Sequence, residues 1–456
     1  VYAHGTWPAL KGREKLHVTW DETAAETRGS ERLLEEYRVL ARRPGLVAGV
    51  HGDADAALAR PGVRAIEAEF AFPYLAHAPM EPLDGFLRWD GRTAVARFGS
   101  QVQTVDHQTI AGVLGLTADK VQIETMLAGG SFGRRAQTTA HLAAELAHAA
   151  KAIGPGRPVM LVWTREDDTR GGYYRPLYLH RMRGGVRDGK IVAWANTIVG
   201  QSFLKGSAFE GMIRNGIDPT AVEGANELLY EIADFRCELH TTEVGVPTLW
   251  WRSVGHTHTG YAVECFVDEL LQAAGQDPVA GRLAMMGKSP RAAGALRAAA
   301  DLARWSGPGP ANNRARGVAV VKSFGTFVAY VAEVSAGNGD GPRVHKVWCG
   351  VDCGVAVNPD VIRAQMEGGI GFGLGHALFA EVVLEEGRPM MANFDTYRSL
   401  RIHEMPEVEV AIVGSPEKPT GVGEPGVPPI APAVVNAMAR LGFERPRRLP
   451  IVRGVV

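Results

Sequence analysis

Cysteine is scarce in this sequence, and its spacing excludes several classes of protein. The 456 residues include four cysteines, at positions 237, 265, 349 and 353, which are too few to staple a disulfide-rich scaffold. No two of them form the C-x-x-C pair that zinc ribbons use. Cys349 and Cys353 are the one close pair, and they can form a disulfide only in an oxidising compartment.

Long uncharged runs and an excess of one charge sign are also absent. The longest uncharged stretches, residues 368–380 and 425–439, fall short of the roughly 18–20 apolar residues that span a bilayer, so we expect no transmembrane segment. The 49 lysines and arginines balance 50 aspartates and glutamates, which leaves a net charge of −1. Such a chain has no global field for nucleic acid or an anionic membrane, and we expect neither as a partner.

Glycine, by contrast, is abundant and clustered. The chain has 55 glycines among 456 residues, above the typical usage of about 7%. The clusters occupy residues 129–133, 368–375 and 421–426, where the backbone must turn sharply or approach something closely. Three such loops favour an enclosed ligand.

Periodicity indicates a mixed architecture. Helical spacing of apolar residues is found in segments 136–153, 259–274, 278–286, 290–305 and 431–441. Strand-like runs are found at 65–72, 93–98, 121–127, 159–163, 318–334 and 344–351. Because the two types do not alternate regularly, the sequence predicts an α+β fold with mixed sheets and packed helices. We place boundaries near residues 65 and 245, which divides the chain into 1–64, 65–245 and 246–456.

The first glycine cluster, Gly-Gly-Ser-Phe-Gly, supports two hypotheses. It matches the G-x-S-x-G elbow of serine hydrolases, with Ser131 as nucleophile. Alternatively, the loop leads into a helix N-terminus at residue 136, whose free N–H groups, aided by Arg134 and Arg135, hold an anion. We favour the anion site because no HGGG-type oxyanion stretch precedes the cluster.

The third cluster presents a single carboxylate, Glu424. Its letters match G-x-G-x-x-G, but Pro425, Pro428 and Pro429 prevent a helix from opening at the third glycine, so it is not a Rossmann turn. A carboxyl group on a stiff loop with apolar neighbours is a candidate general base with a raised pKa. The alternative is an ordinary exposed loop glutamate.

Histidine and cysteine offer no metal motif. His256 and His258 precede Cys265, but this spacing is not that of a known zinc site. We interpret the two histidines as polar groups satisfied within the fold, and we predict no metal ligated by protein side chains.

Taken together, eight segments resemble, in order, the isoquinoline 1-oxidoreductase beta-subunit type of the xanthine dehydrogenase superfamily. These segments are 77–82, 129–135, 163–168, 252–256, 351–359, 365–369, 393–397 and 421–426. The resemblance covers nearly the whole chain. It implies the molybdopterin-binding large-subunit fold, in which 1–64 is the tail of an N-terminal α+β domain plus a linker. Residues 65–245 and 246–456 are then the first and second molybdopterin-binding domains.

The resemblance also implies an activity. Members are molybdenum hydroxylases that hydroxylate an N-heteroaromatic ring or oxidise an aldehyde, with water as the oxygen source. Their molybdenum is held by molybdopterin, here expected in the cytosine dinucleotide form, and not by the protein. Glu424 matches the family's general base, and Arg252 matches the arginine that stabilises negative charge on the substrate. Gln101 matches the glutamine that hydrogen-bonds an oxo group of the molybdenum.

The cofactor-binding positions implied by the same resemblance are Gly129, Gly130, Ser131, Phe132, Gly133, Arg134, Gln365 and Gly423. Two departures stand out: residues 96–100 lack the usual Trp-Ala-Pro-Thr run before Gln101, and Ser131 replaces a frequent glycine. A catalytic serine at position 131 and a non-catalytic scaffold with a vacant pocket remain the alternatives.

Partners follow from what the chain lacks. It contains no Met-Gly-Gln-Gly pterin loop, which family members usually carry in an N-terminal portion, so we expect that portion as a separate chain of the same precursor. Four cysteines cannot ligate two 2Fe-2S clusters, so we expect a small iron–sulfur subunit as electron acceptor. The resemblance favours the periplasm as the compartment, with the cytoplasm as the alternative.

Overall fold

The computed structural model describes residues 1–309, 311–337 and 341–453. Its strands are β1 (Leu46–His51), β2 (Arg64–Phe72), β3 (Asp84–Trp89), β4 (Ala94–Phe98), β5 (Val121–Thr125), β6 (Val159–Val162), β7 (Tyr178–Arg187), β8 (Lys190–Gly200), β9 (Asp234–Thr241), β10 (Arg314–Ser323), β11 (Thr326–Ala336), β12 (Pro342–Asp352), β13 (Leu384–Glu385), β14 (Arg388–Pro389) and β15 (Glu407–Ile412).

The helices lie between and around these strands. They are α1 (Thr6–Arg13), α2 (Ser30–Leu40), α3 (Ala54–Leu58), α4 (Gln103–Leu114), α5 (His141–Ile153), α6 (Arg165–Arg170), α7 (Pro219–Val222), α8 (His256–Ala273), α9 (Pro278–Ala284), α10 (Pro290–Leu302), α11 (Pro359–Leu378) and α12 (Ile430–Arg440). The α+β prediction is confirmed, and α8, α9, α10 and α12 lie within a few residues of the predicted segments.

Three sheets organise the chain. Their strand orders are β1-β9-β8-β7-β2, β5-β4-β3-β6 and β10-β11-β12-β15. Each contains one parallel pair, namely β8–β9, β4–β5 and β12–β15. Parallel neighbours need a crossover connection, and these three crossovers carry α7, α4 and α11. Such connections matter here because several candidate residues lie on them.

The largest hydrophobic core joins the first and third sheets through α8. Phe266 and Leu270 of this helix are fully buried, together with Trp194 of β8 and Val331 of β11. Helix α12 packs closely on β10 at Gly317. A Cβ added at this glycine would lie 2.1 Å from the carbonyl oxygen of Ala433 in α12, so a larger residue would not fit. The second sheet has a separate core, to which α4 and α5 contribute.

Three predicted features differ from the structure. The glycine cluster 368–375, expected as a loop, lies within helix α11. Helix α5 begins at His141 instead of residue 136, because Ala140 is left-handed, with φ of 49°, and turns occupy the segment before it. The run 318–334 is not one strand but the hairpin of β10 and β11, which turns at Phe324 and Gly325. Both breaks are backbone conformations that apolar periodicity does not report.

The sequence raised two further questions, whether Cys349 and Cys353 form a disulfide and whether a helix could span a membrane. All four cysteines are buried free thiols, so Cys349 and Cys353 form no disulfide. Among the described residues, the longest helices are too short or too polar to cross a bilayer.

Candidate active site

Eight of the eleven predicted site residues line one cavity of about 690 Å³. It lies where loops from all three sheets meet: the segment after β4, the first glycine cluster, the turn before α8, the face of α11 and the loop before α12. The eight are Gln101, Ser131, Phe132, Gly133, Arg252, Gln365, Gly423 and Glu424. Residues far apart in the sequence thus share one wall.

Glu424 is a partly buried carboxylate with few partners. Its Oε1 accepts a hydrogen bond from the backbone N–H of Ser253 at 2.9 Å. Burial raises the pKa of Glu424, whereas the Ser253 N–H and the Arg252 charge act to lower it. The side chain lies on the cavity wall and is therefore not the exposed loop glutamate of the alternative interpretation. A carboxylate whose pKa is raised is a stronger base than an exposed glutamate.

The Ser253 turn holds that carboxylate in place. Ser253 and Val254 both adopt left-handed conformations, with φ of 81° and 49°, which cost of order 1–3 kcal/mol each for residues other than glycine. The Ser253 hydroxyl donates to the backbone carbonyl of Glu424 at 2.6 Å. Two hydrogen bonds from one residue therefore align the loop before α12 with the turn before α8.

Arg252 links three of the loops. Its Nε donates to the carbonyl oxygen of Gly423 at 2.7 Å, and its Nη2 donates to Oε1 of Gln365 at 3.0 Å. The backbone N–H of Arg252 donates to the carbonyl of Phe132 at 2.9 Å. Burial lowers the pKa of the guanidinium, and the nearby Glu424 carboxylate opposes that shift. The arginine places a positive charge at the cavity.

A row of stacked rings supports the first glycine cluster. Phe132 stacks on Phe372 with ring centroids 4.2 Å apart, and Phe372 stacks on Trp251 at 4.5 Å. Gly133 has φ of 110°, and a Cβ there would lie 2.4 Å from the carbonyl oxygen of Trp250. Only glycine allows this approach.

Ser131 is engaged in a way that does not suit a nucleophile. Its hydroxyl donates to Oε1 of Gln101 and accepts the backbone N–H of Arg135 at 3.1 Å. In the part of the chain that the structure describes, no histidine or carboxylate is hydrogen-bonded to this hydroxyl. The serine-hydrolase hypothesis lacks the base that such a site requires.

Three predicted residues lie outside the cavity. Gly129 donates its N–H to Glu81 at 2.9 Å, and Gly130 packs on Pro79 and Phe132. Arg134 is 2% exposed, and its guanidinium lies over the rings of Trp163 and Tyr173, 3.7 Å from Asp168. The expected anion site at a helix N-terminus is therefore wrong in its geometry, since no helix starts there and Arg134 is turned into the protein.

Sequence reasoning missed Ser253, Trp251 and Phe372. Ser253 directly follows Arg252, but its left-handed backbone leaves no signal in the sequence. Phe372 lies within the second glycine cluster, which the sequence had marked only for its glycines. Across residues 1–309, 311–337 and 341–453, no group of three or more His, Cys, Asp or Glu side chains is placed to hold a metal ion.

Curated relatives can be aligned with this chain over nearly its full length. It is 32% identical to isoquinoline 1-oxidoreductase subunit beta of Brevundimonas diminuta, over 96% of this chain and 58% of that protein. It is 28% identical to a membrane-bound aldehyde dehydrogenase (pyrroloquinoline-quinone) of Gluconacetobacter polyoxogenes, over 99% of this chain and 61% of that one. The chain thus spans about three fifths of the length of these relatives.

Solved structures and family models agree with these relatives. Quinoline 2-oxidoreductase from Pseudomonas putida 86 has the same fold, with a TM-score of 0.81 at 13% identity over 98% of this chain and 83% of that one. Models of the molybdopterin cofactor-binding domain match residues 41–286 and 269–406. The first match alone covers more than half of the chain, and the chain therefore belongs to the family of molybdopterin cofactor-binding proteins that includes the isoquinoline 1-oxidoreductase beta subunit.

Proposed function

We propose that this chain carries the active site of an oxidoreductase that hydroxylates an N-heteroaromatic ring, or oxidises an aldehyde, with water as the oxygen source. The names of the relatives, an isoquinoline oxidoreductase and an aldehyde dehydrogenase, support both substrate classes. The observation that carries the proposal is the position of Glu424, a partly buried carboxylate on the wall of the cavity. Within the described part of the chain, its side chain accepts one hydrogen bond, from the Ser253 N–H.

The cavity suits the molybdopterin that this family binds. A Cβ added at Gly368 or Gly423 would have no atom within 4 Å, so both backbones face open space that a cofactor can fill. Two amide side chains, Gln101 and Gln365, offer donors and acceptors at the same wall. When bound, the molybdenum cofactor supplies a metal that activates a water-derived oxygen and accepts two electrons. We propose the cytosine dinucleotide form, which analysis of the released nucleotide will test.

The roles of the side chains follow from their chemistry. Glu424 accepts the proton from the attacking water-derived group, since its raised pKa makes the carboxylate a stronger base. Arg252 stabilises negative charge that develops on the substrate, because its guanidinium is already held by Gly423 and Gln365 and needs no reorganisation. Gln101, which also lines the cavity, orients the cofactor.

We propose that the electrons leave through a separate subunit with 2Fe-2S clusters. The four thiols of this chain support a separate iron–sulfur subunit. All are buried, and burial raises the pKa values of Cys237, Cys265, Cys349 and Cys353. Clusters are ligated by thiolates, which such burial disfavours. Co-purification and iron analysis will test it.

We also propose that the remaining length of the relatives is supplied here by a separate N-terminal portion, and that the assembly is periplasmic. The family resemblance supports both points. Denaturing gels with N-terminal sequencing test the first, since a purified native protein with no companion fragment contradicts it. Cell fractionation tests the second.

The decisive experiment is Glu424→Gln in the cofactor-loaded protein, with isoquinoline in ¹⁸O-labelled water. We expect labelled product from the parent protein and a loss of about 10²- to 10⁴-fold in the variant, the usual contribution of a general base. Glu417→Gln is the matched control, because Glu417 is an exposed carboxylate seven positions earlier in the same loop. Equal activity of the two variants contradicts the proposal, and a loaded protein inactive toward both rings and aldehydes favours the scaffold alternative.

A further inference from the structure

Two glutamine side chains line the cavity, and the orientation of each amide decides what it can bind. Gln101 follows β4, and Gln365 lies on α11. A glutamine amide has an oxygen that accepts hydrogen bonds at one end and an NH₂ group that donates them at the other. The protein partner of one end therefore reveals which end is left for a ligand.

The orientation of the Gln365 amide follows from its partner, Arg252. Nη2 of Arg252 lies 3.0 Å from Oε1 of Gln365. A guanidinium donates hydrogen bonds and accepts none, so an NH₂ group at this position would place two donors against each other. The amide oxygen therefore faces Arg252, and the NH₂ group is the end left for a ligand.

Ser131 fixes the Gln101 amide in the same sense. The Ser131 oxygen accepts the backbone N–H of Arg135 at 3.1 Å, and its hydroxyl hydrogen is donated to Oε1 of Gln101. The backbone N–H of Gln101 also donates to the carbonyl oxygen of Arg135, at 3.3 Å. Gln101 is thus held both at its backbone and at its amide oxygen.

The loop that presents the Ser131 hydroxyl is anchored at both ends by Glu81. Oε1 of Glu81 lies 2.5 Å from Nη2 of Arg135, whose side chain is buried. Oε2 of Glu81 accepts the backbone N–H of Gly129 at 2.9 Å. Because both ends of the loop are held, the position of the Ser131 hydroxyl is defined before any ligand binds.

The consequence is a cavity wall that donates hydrogen bonds. In the part of the chain that the structure describes, neither glutamine NH₂ group donates to another residue, whereas both amide oxygens are occupied. Gln101 is exposed and Gln365 is half-buried, so both NH₂ groups can be reached from the cavity. Such a wall pairs with acceptor atoms and leaves a ligand's donor unpaired, which costs binding free energy.

We propose that Ser131 is a positioning residue, whose hydroxyl holds the Gln101 amide with its NH₂ group toward the cavity. This corner then binds an oxygen or another acceptor atom of the cofactor and rejects a donor. The inference rests on the proposed function and deepens it. Ser131 stands where the family resemblance predicts a glycine, which has no hydroxyl to make this bond.

The first test uses the full chain without cofactor. Glutamine is labelled with ¹⁵N at its side-chain amide, and the Gln101 NH₂ signals in the NMR spectrum are those missing from Gln101→Ala. We expect Ser131→Ala to shift these signals toward those of free glutamine, and Ser131→Thr, which keeps a hydroxyl, to restore them. Should Ser131→Ala fail to fold, Ser131→Gly removes the same hydroxyl.

The matched control is Ser335→Ala. Ser335 is also half-buried, and its hydroxyl is 2.8 Å from Nε2 of His345, but it is not part of the cavity wall. This variant should leave the Gln101 signals where they are in the parent protein. Gln101 signals that stay unchanged in Ser131→Ala overturn the inference.

The second test is a double-mutant cycle in the cofactor-loaded protein. Molybdenum per chain is measured by elemental analysis at intervals during dialysis. We expect Ser131→Ala to increase the rate of molybdenum loss about three- to tenfold, the usual net effect of one hydrogen bond. In the Gln101→Ala background the same substitution should have no further effect, because Ser131 acts through Gln101.

The outcomes separate this inference from the proposed function. If Ser131→Ala accelerates the loss equally in both backgrounds, Ser131 has a structural role independent of Gln101, and the inference is overturned even where Glu424-dependent hydroxylation is found. A non-additive cycle in a loaded protein that converts no ring or aldehyde contradicts the proposed function and supports the role of Ser131. A protein that takes up no molybdenum cofactor also contradicts the proposed function, and the NMR test then decides the orientation of Gln101.

Discussion

A fully buried carboxylate, Glu264, and a partly buried one, Glu424, differ in how completely they are paired. Glu264, in α8, accepts from the guanidinium of Arg282 at 3.0 Å, from the Tyr230 hydroxyl and from the Val320 backbone N–H at 2.9 Å. Among the residues that the structure describes, the Glu424 carboxylate has one donor, the Ser253 N–H. Its neighbour Arg252 donates to Gly423 and Gln365 instead.

The difference indicates what each carboxylate can do. A buried charge surrounded by donors has no capacity left for a ligand, and it serves the fold. A carboxylate with one donor and an open side keeps a lone pair for a proton. Burial alone therefore does not mark a general base, whereas incomplete pairing at a cavity supports the proposal that Glu424 is one.

The largest expected effect on stability comes from removing the arginine that pairs with Glu264. Arg282→Met leaves Glu264 and Asp268 buried without their shared arginine, and we expect the free energy of unfolding to fall by about 3–5 kcal/mol. Chemical denaturation measures it. Arg297→Met, an exposed arginine on α10, should change it by less than about 0.5 kcal/mol. If Arg282→Met lowered the free energy of unfolding no more than Arg297→Met does, the ion pairs of Arg282 would contribute little to stability.

An intermediate effect on stability is expected at Gly133, because the wall of the cavity that contains Glu424 depends on the backbone conformation of this glycine. Gly133→Ala combines a left-handed backbone with a Cβ 2.4 Å from a carbonyl oxygen, whereas Gly154→Ala has the same type of backbone and no atom within 4 Å. We expect Gly133→Ala to cost about 1–3 kcal/mol more than Gly154→Ala, because only the first overpacks its surroundings. Thermal unfolding of both variants decides; equal costs would show that the cavity wall yields freely.

The smallest effect is expected from Glu424→Gln on stability. The pKa of Glu424 is raised above its ordinary value of 4.5, so the folded state binds this proton more tightly than the unfolded state does. That stabilisation is complete below pH 4.5 and is lost as the pH rises through the folded-state pKa. Relative to the parent, the variant should therefore gain stability as the pH rises above 4.5. Denaturation at several pH values measures it, and a relative loss as the pH rises would contradict the assignment.

Much of the site could be predicted from the sequence because its motifs are local. Rigid prolines marked Glu424, and glycine clusters marked two of the loops that reach the cavity. Arg134 was misplaced because a run of turns, not a helix, follows the first cluster, and turn geometry depends on tertiary contacts. His256 was noted and interpreted as a satisfied polar group; its partner Glu223 lies 33 positions earlier, and no local pattern connects them.

Composition and motif order were sufficient to determine the family and the α+β class, because these depend on residue type and on spacing along the chain. The convergence of those loops on one cavity, the left-handed turn at Ser253 and the pairing of Glu223 with His256 were decided by the tertiary structure. Each depends on distances between segments that the packing of three sheets around α8 brings together, and periodicity within a segment carries no information about such distances.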